Sequence, residues 1–367
     1  MNAATSEVSQ LPVFNSAIAH FSHRTEPRSP DGSPAVGLST HPAGERRNTI
    51  LRQLAHAAYQ RHARKIESGG RSPTFATVRK MARESARNGD LILGRFQGVS
   101  DDLKRLAMTA ESGQALDLIY DFHKSTYSDR VMRSHFNPLR ICANEYFIGG
   151  MAISSSVADR HDIVVQTLKH TIVDRLSVNP HGEIRMQSLA CGVARATFDA
   201  VSQILSEYSE AKFSIRLVDG NQRALDEAMF LASTYGFSDN VNIVSFCQMF
   251  RNVDDIMSSC ASFQPHSIEM VGLVDYLTDK EALGYFKAIQ DALPQNGFFI
   301  SANVSTRTPQ SEIDFLKFVM GWYMEYRSKD RFGEILRSSG FDTLTVGEAK
   351  QGCFHVSLAR KDHGRSW

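Results

Sequence analysis

The stretch Ile184-Arg185-Met186-Gln187-Ser188-Leu189-Ala190-Cys191-Gly192-Val193-Ala194 decides the fold. Its apolar run breaks at a turn carrying one glycine. The segment that follows sets Phe198, Val201, Ile204, Leu205 and Tyr208 at helical spacing. Phe213-Ser214-Ile215-Arg216-Leu217-Val218-Asp219-Gly220 then restores an apolar run and ends it in an acid. Strand, turn, helix and acid-terminated strand in this order make half of a nucleotide-binding βαβ unit.

The alternation continues outward. The sequence predicts a helix over Gln222–Tyr235, a strand over Val241–Phe246, a short helix near Val253–Ser259 and a strand around Ile268–Val274. A helix over Asp279–Leu293 is stopped by Pro294-Gln295-Asn296-Gly297, and a strand over Phe298–Val304 follows. Helical patterns over Glu312–Tyr326 and Asp330–Ser338 lead to closing strands at Thr343–Val346 and Cys353–Ala359. Helical crossovers make neighbouring strands parallel, whereas a short turn makes them antiparallel. The expected architecture is therefore α/β: a Rossmann-like sheet of seven strands, mostly parallel, with the last strand antiparallel.

Upstream, residues 1–46 are rich in Ser, Thr, Pro, Gly and His without periodicity, and read as a disordered tail. A basic helix is expected over Asn48–Ile66, and further helices between Thr74 and Tyr127, including Asp102–Thr109 and Gln114–His123. A less regular stretch fills 128–156, and a long helix spans Val157–Leu176. Residues 47–176 thus form a helical cap or lid, and 177–367 a nucleotide-binding domain.

Composition limits the partners. A net charge of +1 over 367 residues gives no global attraction to nucleic acid or an anionic surface and points to a small-molecule substrate. The basic helix over 48–66 lacks the aromatic interleaving of a nucleic-acid reader. The five cysteines form no CxxC pair, so neither zinc nor a disulfide framework is expected, and no metal is assigned. No window approaches the roughly 18 apolar residues of a membrane span, and the N-terminus has no secretory pattern, so a cytoplasmic location is expected. A homodimer is one assembly left open.

The order of elements, the acid after the second strand, the Pro294–Gly297 passage and the closing strand pair resemble the class I S-adenosylmethionine-dependent methyltransferase superfamily over residues 180–361, about half of the chain. The resemblance implies S-adenosylmethionine as cofactor. In that family the first turn contacts the cofactor's amino-acid end; here Ala190, Cys191 and Gly192 occupy it, with only the central glycine of a richer pattern. Ser188 stands where an acid is common. Asp219 can accept both ribose hydroxyls, with Gly220 and Asn221 giving room; the same carboxylate chemistry serves NAD, and a helix-capping role is the bland alternative. Gln248 and Met249 follow the third strand where the family contacts adenine, although a core or turn role fits each equally. Leu273 lies at the end of the fourth strand. Asp275 cannot extend a buried strand cheaply, so Asp275 and Tyr276 are the candidate catalytic residues.

Trp322-Tyr323-Met324-Glu325-Tyr326-Arg327 together with Gly272-Leu273-Val274-Asp275-Tyr276 is similar to bacterial enzymes of specialised metabolism, including hydroxy fatty acid methyl ester synthases and azetidine-2-carboxylate synthases. That likeness implies a substrate pocket shared by Tyr146, Arg160, Trp322, Tyr326 and Arg327, with an arginine paired to a substrate carboxylate; surface positions for the arginines and a core position for Trp322 remain open. The expected function is methyl transfer to a small, carboxylate-bearing metabolite by in-line displacement. Two alternatives stand beside it: a cyclase that releases methylthioadenosine from the cofactor, and a non-catalytic nucleotide- or partner-binding protein.

Overall fold

The structure, a computed structural model, describes residues 48–57, 101–109, 113–320, 322–341 and 343–361. The expected tail over 1–46, the helical patterns between 74 and 100, and the part of the first helix beyond residue 57 lie outside these.

Residues 48–57 are helical. The cap continues with α1 (Asp101–Met108), α2 (Gly113–Lys124), α3 (Tyr127–Arg133) and α4 (Pro138–Asn144), then a π-helical turn at Glu145–Gly149 and the long α5 (Ala152–Val178). The stretch 128–156, expected to be less regular, is thus largely helical. Thr126 and Asp129 form a reciprocal capping box that starts α3, a short-range signal the sequence carries.

The sheet follows: β1 (Glu183–Leu189), α6 (Arg195–Glu207), β2 (Lys212–Asp219), α7 (Gln222–Thr234), β3 (Val241–Cys247), α8 (Val253–Ala261) and β4 (Ser267–Met270). Then come α9 (Asp279–Ala292), β5 (Phe298–Val304), α10 (Gln310–Phe318), α11 (Lys329–Ser338), β6 (Thr343–Glu348) and β7 (Phe354–Arg360). The spatial order is β3-β2-β1-β4-β5-β7-β6, and β7 is antiparallel to both of its neighbours. The seven-stranded, mostly parallel sheet with an antiparallel last strand is therefore the observed architecture.

Helices cover both faces, giving three layers and two cores. On one face α5, α6 and α7 pack Leu168, Phe198, Val201 and Leu225 against Ile184, Phe213 and Ile215. On the other, α8, α9 and α11 pack Ile256, Phe286 and Phe332 against Ile268 and Phe299. Strand β5 is buried along its whole length, and its two polar residues, Ser301 and Asn303, are hydrogen-bonded to Ser357 and Asp275. Each fully buried Phe or Ile of these cores stabilises the fold by ~1.5–3 kcal/mol.

Two expected elements end early. The fourth strand stops at Met270, and Val274–Tyr276 forms a short 3-10 turn. Asp275 draws the chain out of the ladder by accepting hydrogen bonds from the Val304 amide (2.7 Å) and from Asn303 (2.9 Å). The helix expected to reach Tyr326 ends at Phe318. Beyond it the chain is extended: the Glu325 amide donates to the Asp275 carbonyl at 2.7 Å and the Arg327 amide to the Val304 carbonyl at 3.0 Å. Arg327 fixes this path by donating to the Asp279 carboxylate (2.7 Å), the Val274 carbonyl (3.3 Å), Asn303 (3.2 Å) and the Leu277 carbonyl.

Helix α5 has no side-chain cap of its own. The buried Glu312 carboxylate of α10 supplies one, accepting from the amides of Ala152 (2.8 Å) and Ile153 (2.9 Å). A carboxylate at a helix N-terminus satisfies orphan N–H groups and complements the helix dipole.

Between β1 and β4, His266 is held neutral: its Nδ1 accepts from the Arg185 amide at 3.1 Å, and burial, with Arg175 and Arg185 nearby, pushes its pKa down to about 4. A depressed histidine contributes stability that is complete above the unfolded value of about 6.5 and lost as pH falls toward the folded one. Urea unfolding at pH 7.5 and 4.5 should therefore show wild type losing about 1 kcal/mol more than His266→Asn, a figure reduced for a half-buried group. Equal losses would remove His266 as the cause.

Candidate functional site

The site starts at the turn after β1. Ala190, Gly192 and Ala194 all take left-handed backbone conformations, with φ of 50°, 53° and 53°. For the two alanines this costs roughly 1 kcal/mol each, strain that persists only where the surroundings over-determine it. Here Asp219, at the end of β2, supplies the restraint. Its Oδ2 accepts from the Gly192 amide at 2.8 Å, and its Oδ1 accepts from the Asn221 amide at 2.9 Å. Against the other side of the turn presses the first residue of α2: a Cβ on Gly113 would lie 2.7 Å from the Gly192 Cα. Helix α6 then begins at Ala194 without a side-chain cap, so the N–H groups of its first turn remain to be satisfied.

This turn forms one wall of a cavity of about 470 Å³, within the range of small-molecule sites. Of the residues singled out in the sequence, Ala190, Cys191, Gly192, Asp219, Gly220, Asn221, Met249, Leu273, Tyr276 and Arg160 line it together. Gly220 lies under the Met249 side chain: a Cβ there would meet its Cε at 2.7 Å, a contact the flexible thioether end could relieve by moving. Gln248 is not among the lining residues; its side-chain amide donates to the Asp255 carbonyl at 3.3 Å, toward α8.

A smaller apolar chamber, about 40 Å³, adjoins the cavity, and Leu116, Arg160, Gly272 and Tyr276 line both. Asp275 and Trp322 also line it, and the Trp322 indole N–H donates to the Tyr276 hydroxyl at 2.8 Å. Arg160, 1% exposed, lays its guanidinium over the Phe354 ring at 4.5 Å and reaches the Tyr120 hydroxyl at 3.4 Å and the Asp275 carboxylate at 3.7 Å. Its Nε is buried without a hydrogen-bond partner. Tyr146, Tyr326 and Arg327 line neither space. Tyr146 packs on Phe147 with ring centroids 4.8 Å apart, and Arg327 spends its donors on α9 and the chain before it.

Three residues outside the sequence-derived set complete the walls. The Tyr120 and His161 rings meet at a tilt with centroids 4.7 Å apart, and His161 meets the Asp199 carboxylate at 3.1 Å. Glu269 of β4 lies opposite Ser188 in the strand register and accepts from the Ser188 hydroxyl and from the Val271 amide at 3.2 Å. An acid inside the apolar run of β4 was the available signal for it, by the argument that singled out Asp275.

Burial sets the electrostatics. It raises the Glu269 carboxyl above the usual range, against the pull of Ser188, Val271 and Arg160. Burial raises Asp275 likewise, opposed by Arg160 and the bonds from Val304 and Asn303. Burial also lifts the Cys191 thiol well above its ordinary value, with the Asp219 and Glu269 carboxylates adding to the effect, so it stays protonated and is no nucleophile. Among the described residues no group of three or more His, Cys, Asp or Glu side chains is placed to hold a metal ion, and no helix is long and apolar enough to cross a membrane.

Comparison with known proteins identifies the family. No curated protein matches the chain in sequence. Among solved structures, a Bordetella parapertussis protein described as a "possible exported protein" is similar at 15% identity and a TM-score of 0.50, covering 81% of this chain and 99% of its own. Human N-acetylserotonin methyltransferase in complex with S-adenosylmethionine matches at 15% identity over 71% of this chain and 70% of its own, with a TM-score of 0.38. Magnesium protoporphyrin IX methyltransferase from Synechocystis PCC 6803 matches at 12% identity over 67% of this chain and 99% of its own, with a TM-score of 0.39. The family model described as "Putative methyltransferase" matches residues 51–361. Since that match spans most of the described cap, the strained turn and the whole sheet, the chain belongs to this methyltransferase family.

Proposed function

We propose that the protein transfers the methyl group of S-adenosylmethionine to a small acceptor bearing a carboxylate. The observation that carries the acceptor class is the buried, unpartnered Nε of Arg160 at the junction of the two spaces. A buried guanidinium with donors to spare favours a planar anion it can grip through two N–H groups.

The cavity fits the cofactor on its own terms. Asp219 is already oriented by two backbone amides and keeps lone pairs for a pair of ribose hydroxyls. Gly192 lets backbone approach closely, and Met249 and Leu273 offer apolar contact. Bound there, S-adenosylmethionine would supply an electrophilic methyl group for in-line displacement. The chain's own part is alignment. Arg160 holds the acceptor carboxylate, Tyr276 is fixed by Trp322, and the cap residues Leu106, Ile119 and Phe147 keep the chamber apolar and poor in water. A carboxylate is ionised at neutral pH and requires no base. Residues 47–176 would act as the lid and 177–367 as the cofactor domain, with α5 belonging to the packed core beneath the lid.

A second reading, a cyclase that releases methylthioadenosine and a cyclic amino acid from the cofactor, is favoured by the chamber volume of about 40 Å³, which leaves little space for a second substrate.

Incubation with S-adenosylmethionine, with and without short-chain acids, followed by mass analysis, separates the readings. S-adenosylhomocysteine formed only with acceptor supports transfer; methylthioadenosine formed without one supports cyclisation. In Arg160→Lys, which keeps the charge and loses the fork, the acceptor KM should rise about tenfold with cofactor affinity little changed; an unchanged KM removes the carboxylate assignment. Asp219→Ala should weaken S-adenosylhomocysteine binding about ten- to a hundredfold by calorimetry. No thermal shift of wild type with S-adenosylhomocysteine would sink both readings.

A further inference from the structure

Two carboxylates of the cavity, Asp219 and Glu269, make no ion pair among the described residues. Arg195 is paired with Asp117 at 2.7 Å and Asp121 at 2.9 Å, and Arg160 faces Asp275. The Glu269 carboxylate is nonetheless aimed. The Ser188 hydroxyl and the Val271 amide each donate to one of its oxygens, which fixes the plane of the group and leaves each oxygen further acceptor capacity. Burial disfavours its charge, and Arg160, which acts on it at longer range, is engaged with Asp275.

We propose that Glu269 receives the ammonium group at the amino-acid end of the cofactor, an assignment that rests on the cavity holding S-adenosylmethionine. That molecule carries two cationic centres, and only the ammonium has N–H donors to satisfy a carboxylate. The placement agrees with the turn. Cys191 lies within electrostatic reach of both Asp219 and Glu269, so the two carboxylates flank one short stretch of backbone. Asp219 serves the ribose hydroxyls and Glu269 the ammonium. The register gives the local logic: Ser188 on β1 sits opposite Glu269 on β4. The position on β1 is occupied by a hydroxyl that cannot carry charge, and the strand beside it carries the carboxylate instead.

Calorimetric titration of wild type and Glu269→Gln with two ligands tests this. S-adenosylhomocysteine carries the ammonium; 5′-methylthioadenosine shares the adenosine and lacks the amino acid. The expected result is a loss of about ten- to a hundredfold in S-adenosylhomocysteine affinity with methylthioadenosine affinity kept within about twofold. Equal losses for both ligands would mean Glu269 only holds the fold, and no loss for either would mean it acts on the acceptor or not at all; each overturns the assignment. Should Glu269→Gln fail to fold, Ser188→Ala, which removes only the aiming hydroxyl, must weaken S-adenosylhomocysteine selectively. Wild type binding neither ligand would instead refute the cofactor reading, a failure distinct from that of Glu269.

Discussion

The carboxylate of Asp219 holds the cavity-facing end of the sheet together. Two residues with side chains sit in the left-handed region beside Gly192, and nothing in their own chemistry favours it. The hydrogen bond from the Gly192 amide to Asp219 ties the turn to the neighbouring strand, and the bond from Asn221 keeps the carboxylate in place. The register of β1 on β2 brings these groups together, so the strain is sustained by the sheet as a whole. The carboxylate that lines the cavity is thereby also the group that shapes the turn.

A second constraint runs through the middle of the sheet. Asp275 gathers Asn303, the Val304 amide and Arg160, while Arg327 ties Asn303 to the start of α9. Buried charges persist where partners and hydrogen bonds surround them, and removing one leaves the others exposed to desolvation. Asp275 therefore spends most of its capacity inward and acts on the site by placing Arg160. Tyr276, one residue on, turns toward the cavity and meets Trp322.

Much of this was legible in the chain. Strand β5 falls on the bounds that the sequence sets, because the Pro294–Gly297 turn before it and the apolar residues on both faces of a covered central strand mark it. The turn, Asp219 and Met249 come to one cavity because a βαβ unit delivers strand ends to the same edge. The misreadings share a cause. The fourth strand was drawn past Met270 and the later helix past Phe318, where long-range partners override local pattern: Asp275 bonding to β5, and Arg327 bonding to residues about fifty positions earlier. Periodicity carries no record of such partners. Glu269 carries the same signal as Asp275, an acid inside a buried apolar strand, six residues earlier in the chain.

The cap that Glu312 places on α5 has a consequence for how the protein assembles. Helix α5 is complete as sequence long before α10 is synthesised, yet the acceptor for its first amides lies about 160 residues further along. Contacts of such sequence separation form late, because a long loop must close before they stabilise anything. During synthesis the nascent chain would carry α5 with its leading turn open and its apolar face uncovered. The wall that bears Arg160 is thus completed only when the C-terminal half folds back on it, so the apolar chamber beside it is a late product of folding.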